Sequence, residues 1–285
     1  MKCTMSSAIL KRFGLMTLGV TTALPVYAQD VGADPMTRDT ITVGAGIVAR
    51  PSYDGSDDYV VSPLPVIRGR VSGITINPRP GGIALDLIPD TREKKVNFAL
   101  GPVAALSFNR NNQIEDSVVK AAGKLDTAVE LGVNAGISVN NVLNDFDRIS
   151  FTTDVQWDVA GAYSGMTFSP AISYATPINS GVLVTVIANA HHVDDKYASY
   201  YYSVTPAQAA ASGLPEYNAK GGWDKVGLGT LVAVSLSGNL IDGGWSVLGV
   251  AGYSHMLNDG KNTPYTALRG NANQWVGGLG LTYTF

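Results

Sequence analysis

The 285-residue sequence has a single cysteine, Cys3, and only 15% charged residues, against roughly 25% in an ordinary globular protein. One cysteine excludes a disulfide framework. Twenty Lys and Arg against 23 Asp and Glu leave a net charge of −3. With no basic surplus to displace the counterions of a phosphate backbone, nucleic-acid binding is not expected. Beyond residue 28 the chain lacks any run of ~18 apolar residues, so no helix is expected to cross a hydrocarbon core ~30 Å thick. What the chain does have is 45% apolar residues, 32 glycines and 13 tyrosines, too apolar a mixture for a disordered tail.

Residues 1–28 read as a secretory signal. Lys2, Lys11 and Arg12 make a basic start, Phe13 to Leu24 an apolar centre, and Val26-Tyr27-Ala28 a small-residue exit with cleavage expected after Ala28. Gln29 rather than Cys follows, so no lipid anchor is expected. Residues 29–39 are expected as a short periplasmic arm. Cys3 leaves with the signal, and stability must then come from burial or from closure of a sheet.

The dominant pattern is period-two alternation. From Leu125 the odd positions Val129, Leu131, Val133, Ile137 and Val139 are apolar, while Asp126, Glu130, Asn134, Ser138 and Asn140 occupy the other face. Ile149, Phe151, Val155 and Trp157 repeat the split against Ser150, Thr152, Asp154 and Asp158. A helix would mix these charges into the apolar stripe. Strands are expected at 40–50, 63–71, 73–79, 82–89, 95–108, 125–140, 148–163, 166–177, 181–192, 225–240, 244–257 and 272–285. That makes twelve, with ten or fourteen also compatible. Segments such as 125–140 are far longer than the ~5–6 residues of sandwich strands. In lipid, strands satisfy their backbone only by closing on themselves. The expected fold is therefore all-β: a transmembrane antiparallel β-barrel over residues 40–285.

Connection lengths support it. With residue 40 at the periplasmic side, long external loops fall at 51–62, 109–124, 193–224 and 258–271, while 90–94, 141–147, 178–180 and 241–243 make short turns on the other side. An interfacial aromatic belt is available from Tyr163, Phe168, Tyr174, Trp245, Tyr253, Trp275 and Tyr283. Trp275, Leu279, Leu281, Tyr283 and Phe285 share one face of the closing segment, which resembles the signal that bacterial outer-membrane barrels present to their insertion machinery.

Two further motifs carry a family resemblance. Val43-Gly44-Ala45-Gly46, then Pro51-Ser52-Tyr53-Asp54-Gly55-Ser56-Asp57 and Ser62-Pro63-Leu64-Pro65, resemble the glycine strand and P-x-Y-x-G-S motif of the MltA-interacting protein/OmpV family of outer-membrane proteins. Tyr200-Tyr201-Tyr202-Ser203-Val204-Thr205-Pro206 is similar to that family's Y-F-G-V-T core, departing from it at Tyr202 and Ser203. The resemblance implies the outer membrane of a Gram-negative bacterium and a non-enzymatic scaffold role, with a lytic murein transglycosylase and a murein synthase as partners. It leaves room for porin-like and adhesive members. Fold alone does not choose among them.

Candidate residues follow from these readings. Tyr53, Asp54, Asp57, Asp58, Tyr201, Tyr202 and Thr205 are candidate loop contacts; the first acidic loop either is simply solvated or holds a divalent cation, through which it would meet lipopolysaccharide. Asp126, Glu130, Asp154 and Asp158 are candidate lumen-lining residues; in an open interior such a strip favours cations, which makes a narrow pore for small solutes one alternative. Adhesion through 193–224 is another. Arg68, Arg70, Arg79 and Arg92 are by default simple surface charge, the alternatives being to balance lumen carboxylates or to meet phosphate groups. His191-His192-Val193-Asp194-Asp195 is the one cluster resembling hydrolytic chemistry, but adjacent strand residues face opposite ways. No catalytic, cofactor or metal residue is assigned.

Overall fold

The computed structural model describes residues 39–90 and 94–285. The signal at 1–28, the arm up to residue 38 and Arg92 lie outside the described residues. Twelve strands form a closed, all-antiparallel barrel in which each strand pairs with its sequence neighbours and β1 pairs with β12. They are β1 (Thr40–Pro51), β2 (Tyr59–Val71), β3 (Ile74–Arg79), β4 (Gly82–Asp86), β5 (Val96–Ser107), β6 (Ala128–Asn140), β7 (Arg148–Asp158), β8 (Met166–Asn179), β9 (Val182–Val193), β10 (Gly222–Ser235), β11 (Gly244–Met256) and β12 (Asn273–Thr284). Among the described residues, no helix is long and apolar enough to span a membrane.

Alternation sets the two faces of the wall. On β6, Leu131, Val133 and Ile137 point outward and are exposed, whereas Asn134, Ser138 and Asn140 are buried on the inner side. The outer face is apolar around the barrel, with Ile47, Phe98, Ile172, Leu228 and Leu279 among its exposed side chains. Aromatic rings fringe both ends. Trp245–Tyr283 and Tyr283–Phe285 pack at 5.1 and 4.7 Å at one end, and Tyr253–Trp275 and His192–Trp223 at 4.8 and 5.2 Å at the other. An apolar band between two aromatic girdles is the outer surface of a lipid-embedded barrel. The inner face curves tightly enough to require glycine: a Cβ on Gly46 or Gly132 would collide with the backbone carbonyl of Leu279 or Val155.

Three strand ends differ from the periodicity by four residues or more. β7 stops at Asp158 rather than running to 163, because the Asp158 carboxylate accepts N–H bonds from Ala160, Tyr163 and Ser164 at 3.0, 2.8 and 2.8 Å and turns the chain. Tyr163 is thereby carried off the wall and buried, so it is not part of the belt. β10 ends at Ser235, whose hydroxyl binds the Ser237 amide and the Asn239 carbonyl. β2 begins at Tyr59, four residues early.

One end of the barrel carries short turns and the other carries the long connections 52–58, 108–127, 159–165, 194–221 and 257–272. Five short helices form there: α1 (Ser117–Ala121), α2 (Asp195–Tyr202), α3 (Pro206–Ser212), α4 (Asn258–Asn262) and α5 (Pro264–Ala267). The inward-facing strand-end residues Ala128, Val193 and Met256 belong to the same buried cluster as Tyr163, Tyr197, Tyr201 and Tyr202. The long connections are thus a folded plug seated in the mouth, with a hydrophobic core of its own.

Candidate functional site: the mouth and the lumen

Local sequence builds the plug. Asp194 caps α2 by accepting the Tyr197 amide at 2.9 Å, and its second oxygen accepts the Met166 amide, tying the helix to β8. Along α2, Tyr197 and Tyr201 lie one turn apart and stack at 4.5 Å; Tyr163 meets Tyr197 edge-on at 4.9 Å. α3 has a capping box of Thr205 and Gln208, Pro206 in its first turn, and Gly213 at φ +75° as its left-handed stop.

The polar groups buried by this packing are matched to one another. A β-bulge between Trp223 and Lys225 breaks the alternation of β10, so Asp224 and Lys225 both reach the interior. Asp224 takes the Tyr202 hydroxyl at 2.5 Å and lies 2.6 Å from His191 Nδ1; Lys225 Nζ donates to Asp54 at 2.8 Å. The Tyr163 hydroxyl donates to Glu130 at 2.9 Å. Deeper in the plug, Arg110 is 1% exposed, sits 3.7 Å over the Tyr265 ring and donates to the carbonyls of Tyr201 and Gly123. The Tyr53 hydroxyl donates between the carbonyls of Tyr265 and Arg269. Burial pushes the phenols of Tyr53, Tyr163, Tyr197 and Tyr202 well above the usual tyrosine range, so they stay neutral donors. Tyr217 is pushed up to about 12 by burial and by its bond to Asp259. Asp116 goes the other way. Burial pulls its carboxyl up, but the Arg269 guanidinium at 2.6 Å and the amides of Val119 and Val118 outweigh that and hold it below the ordinary carboxylate range.

The candidate loop contacts divide in two. Tyr53, Tyr201 and Tyr202 are 1–2% exposed and hold loop to loop rather than standing on the surface. Asp54 is committed to Lys225, whereas Asp57 and Thr205 are exposed and Asp58 is partly so. Of the lumen candidates, Glu130, Asp154 and Asp158 face inward, and each is engaged: by Tyr163, by Arg79 and Asn134, and by turn amides respectively. Asp126 does not join them, because it precedes β6 and is exposed at the rim, where its amide bonds to the Tyr200 hydroxyl. His191 faces inward to Asp224 while His192 faces outward onto Trp223. The Ser203 hydroxyl accepts the Ala219 amide at 2.9 Å. Among the described residues no group of three His, Cys, Asp or Glu is placed to hold a metal ion.

Sequence reasoning missed Arg110, Asp224 and Lys225. The bulge that turns the last two inward leaves no mark in the pattern, and Arg110 acquires its role only from a ring distant in sequence. At the short-turn end the inward residues include arginines, one of them paired with a carboxylate. Arg148 pairs with Asp90 at 2.6 Å, Arg70 donates to the Asp90 carbonyl, and Arg68 faces the lumen exposed.

Comparison with known proteins adds a family. A family model described as MltA-interacting protein MipA matches residues 43–285. The MltA-interacting proteins of Escherichia coli (strain K12) and Shigella flexneri are each 27% identical over 141 residues, which is 49% of this chain and 48% of theirs. The chain thus spans about half the length of the curated relatives it matches. Similar solved structures include an outer membrane channel from Pseudomonas putida F1, at 14% identity and TM-score 0.43 over 91% of this chain and 100% of that one. Pseudomonas aeruginosa OccK11 is 12% identical with TM-score 0.32, covering 87% and 95%.

Proposed function

The chain belongs to the MltA-interacting protein family, and from that premise we propose that it is a sealed, non-enzymatic outer-membrane barrel that docks murein-remodelling enzymes on its periplasmic end. In this reading the plugged mouth faces outside, the short turns face the periplasm, and the partner is a lytic murein transglycosylase with its associated synthase. The supporting observation is the division of the barrel: one end is filled by a buried tyrosine core, while the other displays ordered apolar side chains. In the 141–147 turn, Val142, Leu143 and Phe146 are 39, 77 and 57% exposed. Beneath them the Asp147 carboxylate accepts the amides of Val142, Leu143 and Asn144 and the Tyr174 hydroxyl. Burial pulls that carboxyl up, but these donors outweigh it and hold it below the usual range. A turn fixed this firmly presents Leu143 in one geometry, as a docking knob requires.

The cation-pore alternative has less support, since Glu130 is held by the Tyr163 hydroxyl, Asp154 is paired with Arg79 and Asp158 is spent on its turn. Adhesion through 193–224 loses Tyr201 and Tyr202 to the plug core. The test is a photo-crosslinker placed at Leu143 or at Thr205 in intact envelopes. Docking predicts a murein transglycosylase adduct from position 143 and none from 205. Absence of any murein enzyme from both positions would refute it.

A further inference from the structure

The outer wall is not uniformly greasy. At the long-loop end Asp57, Tyr59, Tyr253, Asn271, Asn273 and Trp275 line an outward recess of about 580 Å³. Its parts are held in place. The Trp275 amide donates to the Tyr59 hydroxyl at 3.1 Å, which leaves that hydroxyl its own proton to give. Tyr253 donates to Asn273 Oδ1 at 2.7 Å, and Asn273 in turn donates to Asn271. Trp275 is 61% exposed, and its ring packs against Tyr253. Asp57 is exposed, and Arg269, whose charge it feels, is paired with Asp116. An open indole face bordered by a carboxylate and two amides suits a ligand with C–H faces and several hydroxyls, that is, a sugar.

A second observation points the same way. The row of outward residues directly below the recess is small across three strands: Ala49 on β1, Gly277 on β12 and Ala251 on β11 are register partners. Gly249 continues the path one row lower, beside Leu279. A Cβ added at Gly277 would meet nothing within 4 Å, so no close packing demands glycine there. The result is a shallow track running from the polar recess down into the apolar band.

We propose that recess and track together form a lateral site for one membrane glycolipid, the sugar stacked on Trp275 and hydrogen-bonded by Asp57 and Asn271, the acyl chain lying over Gly277. A carboxylate at the rim disfavours a bare phosphate headgroup and accepts sugar hydroxyls. The site rests on the outer-membrane reading above, which supplies the lipid surroundings.

The experiment places the full chain in phosphatidylethanolamine nanodiscs containing equal amounts of a monohexosyl diacylglycerol and a phosphatidylglycerol of matched chains, then counts co-ejected lipids by native mass spectrometry. The expected result is one retained hexosyl lipid. Trp275→Ala and Gly277→Leu should each lower its occupancy about tenfold, the first by removing the platform and the second by filling the track. Both substitutions face outward, and the heat-dependent gel shift of the folded barrel verifies that each variant is intact. Equal retention of phosphatidylglycerol, or wild-type occupancy in both variants, overturns the lipid site while leaving the membrane barrel standing. Failure of the wild-type chain to enter nanodiscs overturns both.

Discussion

The two ends of this barrel are finished in different ways. At the long-loop end five connections pack into two buried clusters, and contacts such as Arg110–Tyr265, Tyr202–Asp224 and Tyr53–Arg269 join different segments of the chain. At the short-turn end the connections are capped from within, by Asp147 in 141–147, Asn179 on the Gly181 amide and Asn239 on the Ile241 amide, although Ser180 also donates across to the Gly238 carbonyl of the next turn. The wall between them is the same alternating sheet. What differs is the range of the contacts, and therefore how far a disturbance should spread. A change in the mouth should loosen several loops at once, whereas a change in a turn should stay local.

The largest effect is expected from Arg110→Ala. It strips the Tyr265 ring of its cation, leaves the Tyr201 carbonyl unpaired in a buried site and opens a void, a loss on the order of 3 kcal/mol. Limited proteolysis should then cut within both 108–127 and 194–221 while the barrel keeps its resistance to unfolding in cold detergent. Cutting confined to one loop would mean the plug is not one cooperative unit. Tyr202→Phe comes next, at roughly 1–3 kcal/mol, because it removes a donor from the buried Asp224 carboxylate and leaves His191 as its remaining side-chain partner. Thermal melts of the plug, followed by near-ultraviolet tyrosine signals, would measure it. Asp147→Ala should speed amide exchange at Val142, Leu143 and Asn144 without changing exchange in the mouth; spread beyond the turn would erase the contrast between the ends. The smallest effect concerns acid. Asp116 is held below the ordinary aspartate value of ~3.9, so the stability it lends through Arg269 and the α1 cap is complete above that value and is lost as pH falls through the lower, folded one. Pepsin should leave 108–127 intact just below ~3.9 and begin to cut it only at more acid pH.

The same contrast explains how much was legible in the sequence. The wall follows from alternation, a local property, and so strands such as β5, β9 and β11 stand within a residue or two of where the pattern places them. Where prediction and structure part, a short-range polar group intervenes, as at Asp158, whose carboxylate folds 159–165 back and carries Tyr163 into the core. The plug was not legible. A run such as Tyr200-Tyr201-Tyr202 reads equally well as a binding loop or as a core, and only the return of 257–272 over it, with the Thr263 hydroxyl bonded to the Tyr202 carbonyl at 2.6 Å, decides the matter. Nor could alternation foresee its own failure at the β10 bulge, which sends Asp224 inward beside Lys225. Acidic residues counted on one face likewise say nothing of Arg79, which reaches Asp154 from β3.

That the mouth is closed by its own loops is the claim on which the contrast rests, and electrical recording across a planar bilayer tests it most directly. The inserted wild-type chain should pass no steady ionic current, and Arg110→Ala should leak. A stable open conductance from the wild-type protein, unchanged by that substitution, would contradict the account.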